Sequence, residues 1–141
     1  MQGKEYLEQI RLCKNNINNN LRRLDELREM ALATGSKELK ADVVQTSIAN
    51  AGLEDSVGRY VDYEASIREE INKYMDLKNK INKQIEELNA PPQYVELLML
   101  RYCQFKRFEQ IAVEMDYSYE RVRHMHKEAL MKFENQYLKG V

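Results

Sequence analysis

At 141 residues the chain can form one compact domain, or a small domain with an extended appendage. Charged residues make up 32% and hydrophobic ones 43%, Trp is absent, and five Gly and two Pro supply too few turns for an all-β fold, so long amphipathic helices are expected. Lys and Arg number 22 against 23 Asp and Glu, a net charge of −1 that excludes a chain-wide basic field, so any affinity for nucleic acid has to be local, modest or helped by a partner.

Taken from the start, MQGKEYLEQI carries charge where a secretion signal needs an apolar core, and no run approaches the roughly 18 apolar residues of a membrane span. A cytoplasmic protein with no membrane partner is expected. Cys13 and Cys103 lie far apart without metal-ligand spacing, which argues for reduced thiols and no disulfide framework.

Over residues 4–33, Leu7, Ile10, Ile17, Leu21, Leu24 and Ala31 recur at steps of three, four or seven, with Lys14 and Arg28 in further seam positions. This predicts one long helix with a narrow apolar stripe, on the order of 45 Å long, which needs another helix to lie against. Gly35 and Ser36 then suggest a stop, and the small and polar residues across about 34–56 read as a connector holding at most a short helix. A second stripe follows in Tyr60, Ile67, Ile71, Tyr74, Ile81, Ile85 and Leu88, with Lys78 on the seam and Leu77 beside it, and Pro91-Pro92 closes it. The expectation for 1–90 is a long coiled-coil-like hairpin. Its narrow, partly polar seam buries little, so two arrangements stay open: a homodimer through these helices, or a hairpin packed on its own C-terminal domain.

After the prolines, YVELLMLRY reads as a short apolar helix. Phe108, Ile111, Ala112 and Met115 then share one helical face, and Ser118 can cap a further helix through its hydroxyl. A helix-turn-helix also needs a small residue where its two helices approach, and Ala112 is one. Its tight turn needs a residue tolerant of the left-handed conformation, and Asp116 qualifies. Val122 and Met125 return to the shared core, and His126, Ala129, Leu130 and Phe133 fall on the same side, with His126 as a hydrogen-bonded core histidine. Glu120, Arg123, His124 and Lys127 face outward together, a set able to bond base edges and phosphates in a major groove.

The run FEQIAVEMDYSYERVRHMHKEALMKF resembles region 4 of primary sigma factors, with Glu120 to Arg123 and the Ala129-Leu130 pair in register, and YVELLMLRY is similar to the first helix of that region. The resemblance covers about 94–134. The larger layout resembles small sigma-like transcription regulators of phages and prophages in low-GC Gram-positive bacteria, which would place the protein in the host cytoplasm. By position, the resemblance implies base reading by Tyr119, Glu120 and His124, phosphate contacts from Ser118, Arg121 and Arg123, and a partnership with RNA polymerase. Tyr119 stands where sigma factors usually have Arg and His124 where they have Gln, so the ordinary promoter hexamer is not the expected target. No counterpart of the segments that melt promoter DNA is evident, so a complete sigma factor is not expected either.

Residues two apart on a helix point roughly 200° from each other, so His124 and His126 cannot share a metal. Cys103 has no activating neighbour in sequence, no glycine loop cradles a phosphate, and no cofactor or enzymatic activity is expected. Three readings follow: a promoter-binding transcriptional regulator, a DNA-recognition protein like a phage terminase small subunit, and a helical protein-interaction module without DNA binding.

Overall fold

The computed structural model describes residues 1–38 and 43–139, with side chains outside 33–56. Among these residues the chain is all-α: α1 (Gly3–Glu38), α2 (Val43–Glu86), α3 (Pro92–Leu98), a π-helical turn (Met99–Cys103), α4 (Phe108–Met115), α5 (Tyr119–Phe133) and a second π-helical turn (Glu134–Leu138). None of these helices is long and apolar enough to cross a membrane.

The connector expected across about 34–56 is a correction. Helix continues to Glu38 and resumes at Val43, leaving only 39–42 outside the described residues. Lack of an apolar period hid this. The stretch nevertheless contains no proline, only isolated glycines, and good helix formers in Ala49, Ala51, Leu53 and Glu54, so propensity favours helix where periodicity is silent.

The compact units also divide elsewhere than at the prolines. Met1–Lys14 and Tyr74–Val141 form one unit, and Asn15–Lys73 forms the other. In the first, Leu7, Ile10, Ile81, Ile85 and Leu88 share a core with Leu98, Tyr102, Ala129 and Phe133. The start of α1 and the end of α2 thus bury their stripes against the C-terminal helices. Phe133 is fully buried and touches Tyr6 and Tyr137, with ring centroids 5.7 and 4.9 Å away. Gly3 sits so close to α5 that an added Cβ would lie 2.9 Å from Glu134 Cγ and 3.2 Å from the Leu130 carbonyl oxygen. Its amide donates to Glu134 Oε1 at 2.5 Å, so a carboxylate satisfies an otherwise free amide at the positive end of α1.

In the second unit the seam differs from the expected one. Leu21 is 39% exposed, while the neighbouring Asn20 is half-buried, donates to Glu70 Oε2 at 2.7 Å and accepts from the Tyr63 hydroxyl at 3.0 Å. Those bonds select Ile17, Asn20, Leu24, Leu27 and Ala31 as the inner row, which turns Arg28 outward and brings Leu27 in. Asn20 lies about as far before the end of α1 as Tyr63 lies after the start of α2, so the two segments run antiparallel here. Ile17 and Ile67 are the buried residues of this unit among its described side chains.

Candidate nucleic-acid interface

The turn between α4 and α5 is built by its own residues. Asp116 adopts φ 58°, ψ 45°, a left-handed conformation in which Asp is tolerated better than most side chains. The Tyr117 amide then reaches back to the Ala112 carbonyl at 3.0 Å, the six-to-one bond that closes a helix end. Ser118 is extended, and its Oγ accepts from the Arg121 amide at 3.1 Å, capping α5. Behind the turn, Ile111, Ala112, Val122 and Met125 form a core with Leu97 and Leu100, while Phe108 and Met115 are half-buried at its margin.

This packing fixes which face of α5 meets solvent. Val122, Met125, His126, Ala129 and Phe133 are buried and Leu130 is half-buried. Ser118, Tyr119, Glu120, Arg121, Arg123, His124 and Lys127 are all exposed. Five of the seven, Tyr119, Glu120, Arg123, His124 and Lys127, line one hollow of about 320 Å³. Ser118 and Arg121 stand outside it: the Ser118 oxygen is engaged at the helix end, and the Arg121 guanidinium lies 4.2 Å from the Tyr117 ring centre.

Neighbouring side chains orient the hollow. Arg123 Nη1 donates to the Tyr119 hydroxyl at 3.0 Å, and its guanidinium lies 5.5 Å from the Phe108 ring centre, so aromatic contacts restrict the cation before any ligand arrives. His124 Nε2 lies 3.2 Å from Glu128 Oε1. Glu128 also accepts a hydrogen bond from the Tyr94 hydroxyl of α3, and this bond, with the nearby His124, holds its carboxyl below the usual range. Tyr94 and Glu128 therefore position His124 although neither belongs to the outward row read from the sequence.

His126 is 7% exposed and its Nε2 sits 2.6 Å from the Tyr102 hydroxyl. Burial, followed by the fields of Arg101, Lys4 and Arg123, lowers its pKa to about 4, so the ring is neutral at pH 7. Burial likewise pushes the Cys103 thiol up to about 11, and its Sγ donates to Asn82 Oδ1 at 2.7 Å. A thiol with that pKa is almost wholly protonated at neutral pH and is a poor nucleophile. No three metal-ligating side chains converge among the described residues.

Two cations that the outward-row reading left out stand next to this face. Arg101 has its guanidinium 4.2 Å from the centre of the same Phe108 ring that contacts Arg123, and Lys4 of α1 reaches the flank of α5 beside Lys127. Arg101 lies in the run resembling a sigma first helix, where nothing in its spacing marks it. Lys4 carries no sequence signal at all. Compared with family models, characterised proteins and solved structures, the chain matches none.

Proposed function

We propose that the protein is a DNA-binding transcriptional regulator that lays α5 in the major groove of promoter DNA and contacts RNA polymerase. The observation that carries this reading is the α5 surface: a tight left-handed turn and a serine cap present Tyr119, Glu120, Arg123, His124 and Lys127 around one exposed hollow. Glu120 can accept from a cytosine amino group, His124 can bond a purine edge, and the cations can hold phosphates. The resemblance of 94–134 to sigma region 4 supports the same reading.

Over 118–132 the cations Arg121, Arg123, Lys127 and Lys132 face the anions Glu120 and Glu128, a small surplus that neutralises few phosphates. Two copies acting together would raise the affinity. The narrow seam of the Asn15–Lys73 unit favours a homodimer through that unit: it holds the polar Asn20, with Ile17 and Ile67 as its buried residues among the described side chains, and a second copy would add apolar burial.

The test is a titration of a selected duplex and a scrambled one at several salt concentrations. Glu120→Ala or His124→Ala should relax the preference at particular bases by about 1–3 kcal/mol, and Arg121→Ala or Arg123→Ala should weaken both duplexes alike. Wild-type binding of both duplexes by the Glu120, His124 and Arg123 variants would leave α5 as a protein-interaction surface. Sedimentation at micromolar concentration checks the dimer, and a ring of many subunits would move the assignment to a terminase-like recognition protein.

A further inference from the structure

A second cavity, of about 210 Å³, adjoins the hollow on α5 and shares Arg123 and Lys127 with it. Lys4 from α1 and Arg101 from the first π-helical turn complete a ring of four cations, and Tyr102 and His126 stand behind them. No carboxylate lines the cavity, and none of the four cations is ion-paired among the described residues. Among the acids around it, Glu134 accepts the Gly3 amide, Glu8 lies 3.6 Å from Arg11, and Glu120 lines the adjoining hollow on α5.

Four like charges around one cleft repel each other, and each repulsion grows as water is displaced. An interspersed carboxylate would relieve this; none lines this cavity, so a bound anion is favoured there. The guanidiniums are also held in place. Arg101 and Arg123 both lie on the Phe108 ring, Arg101 Nη1 donates to the Lys106 carbonyl at 3.0 Å, and Arg123 donates to Tyr119. Each has further N–H groups beyond the one these bonds use, and a planar fork beside a flexible ammonium matches the tetrahedral oxygens of a phosphate. The neutral His126 paired with Tyr102 adds no competing charge at the back of the cleft.

We propose that this cleft is a phosphate site in which Lys4, Arg101, Arg123 and Lys127 hold one phosphate group, supplied by the backbone of a DNA duplex lying along α5. Its source, though not the site itself, rests on the DNA-binding reading above. The shared Arg123 and Lys127 favour a backbone phosphate over a free one, because a duplex seated on the hollow passes its strand beside the cleft. The start of α1 thereby becomes part of the nucleic-acid surface, although it lies far from α5 in sequence.

The experiment uses the full chain and two probes at constant ionic strength. Inorganic phosphate is titrated while the His126 ring resonances are followed by NMR, and a selected duplex is titrated across a salt series. Lys4→Gln, an exposed first-turn substitution, leaves the core intact. Arg101→Lys keeps the charge but removes the fork. Phosphate is expected to move the His126 signals in the wild type and to need several-fold higher concentration in both variants. Duplex binding by Lys4→Gln should lose about one from its log–log salt slope. If phosphate leaves His126 unmoved and Lys4→Gln keeps the wild-type slope, the site is refuted. Phosphate binding with an unchanged slope overturns the duplex as its source and assigns the cleft to a free phosphate. Phosphate binding by a wild type that binds no duplex supports the site and refutes the DNA-binding reading.

Discussion

The two units use the same two helices in different ways. In Met1–Lys14 with Tyr74–Val141, the stripes of α1 and α2 meet four further helical segments, and Leu7, Ile10, Ile81, Ile85 and Phe133 are fully buried. In Asn15–Lys73, among the described side chains, α1 and α2 meet at a seam that holds the polar Asn20, with Ile17 and Ile67 as the buried residues. A heptad pattern by itself therefore says little about stability. What decides it is how many apolar surfaces meet the stripe, since burial contributes about 25 cal/mol per Å² only where water is actually displaced.

That contrast can be broken by mutation. Phe133→Ala should cost about 3–5 kcal/mol and abolish cooperative unfolding of the first unit, as read by urea titration of near-UV signals. Backbone amides of 15–32 and 57–73 should meanwhile exchange faster than those of α3 to α5, because fewer buried contacts oppose their local opening. Equal protection in both units would erase the distinction.

Acid should separate the units next. His126 has a pKa of about 4 when folded, against 6.5 when unfolded, so between these values the unfolded chain binds a proton that the folded chain refuses. Stability of the first unit should be complete above pH 6.5 and fall as pH drops toward 4, by on the order of 3 kcal/mol from this group. His126→Gln retains a partner for Tyr102 and should flatten that limb of a pH series of urea midpoints. An unchanged pH profile in the variant would remove His126 from the account.

Glycine gives the smallest and sharpest comparison, because one substitution should change sign between units. Gly3→Ala forces a Cβ toward Glu134 and the Leu130 carbonyl, so a loss of about 1–3 kcal/mol is expected from thermal unfolding. Gly58 lies within α2 with nothing within 4 Å of an added Cβ, so Gly58→Ala should stabilise by about 0.5–1 kcal/mol through helix propensity. Loss in both would show that Gly58 is packed against something.

Local chemistry was legible in the residues themselves. The all-α class, the left-handed Asp116, the Ser118 cap, the buried row of α5 with its core histidine and the outward row of Glu120, Arg123, His124 and Lys127 each depend on groups a few positions apart, where helix geometry and side-chain type leave little freedom. Three features depended on tertiary structure. Asn20 displaced Leu21 from the seam because Glu70 and Tyr63 bind it, and a one-residue shift cannot be read from a stripe that contains either. Compact units crossed the Pro91 boundary because the ends of α1 and α2 found apolar partners in the C-terminal helices. Lys4 and Arg101 joined Arg123 and Lys127 around one cleft because folding brought together charges with no periodic relation, which no spacing along the chain encodes.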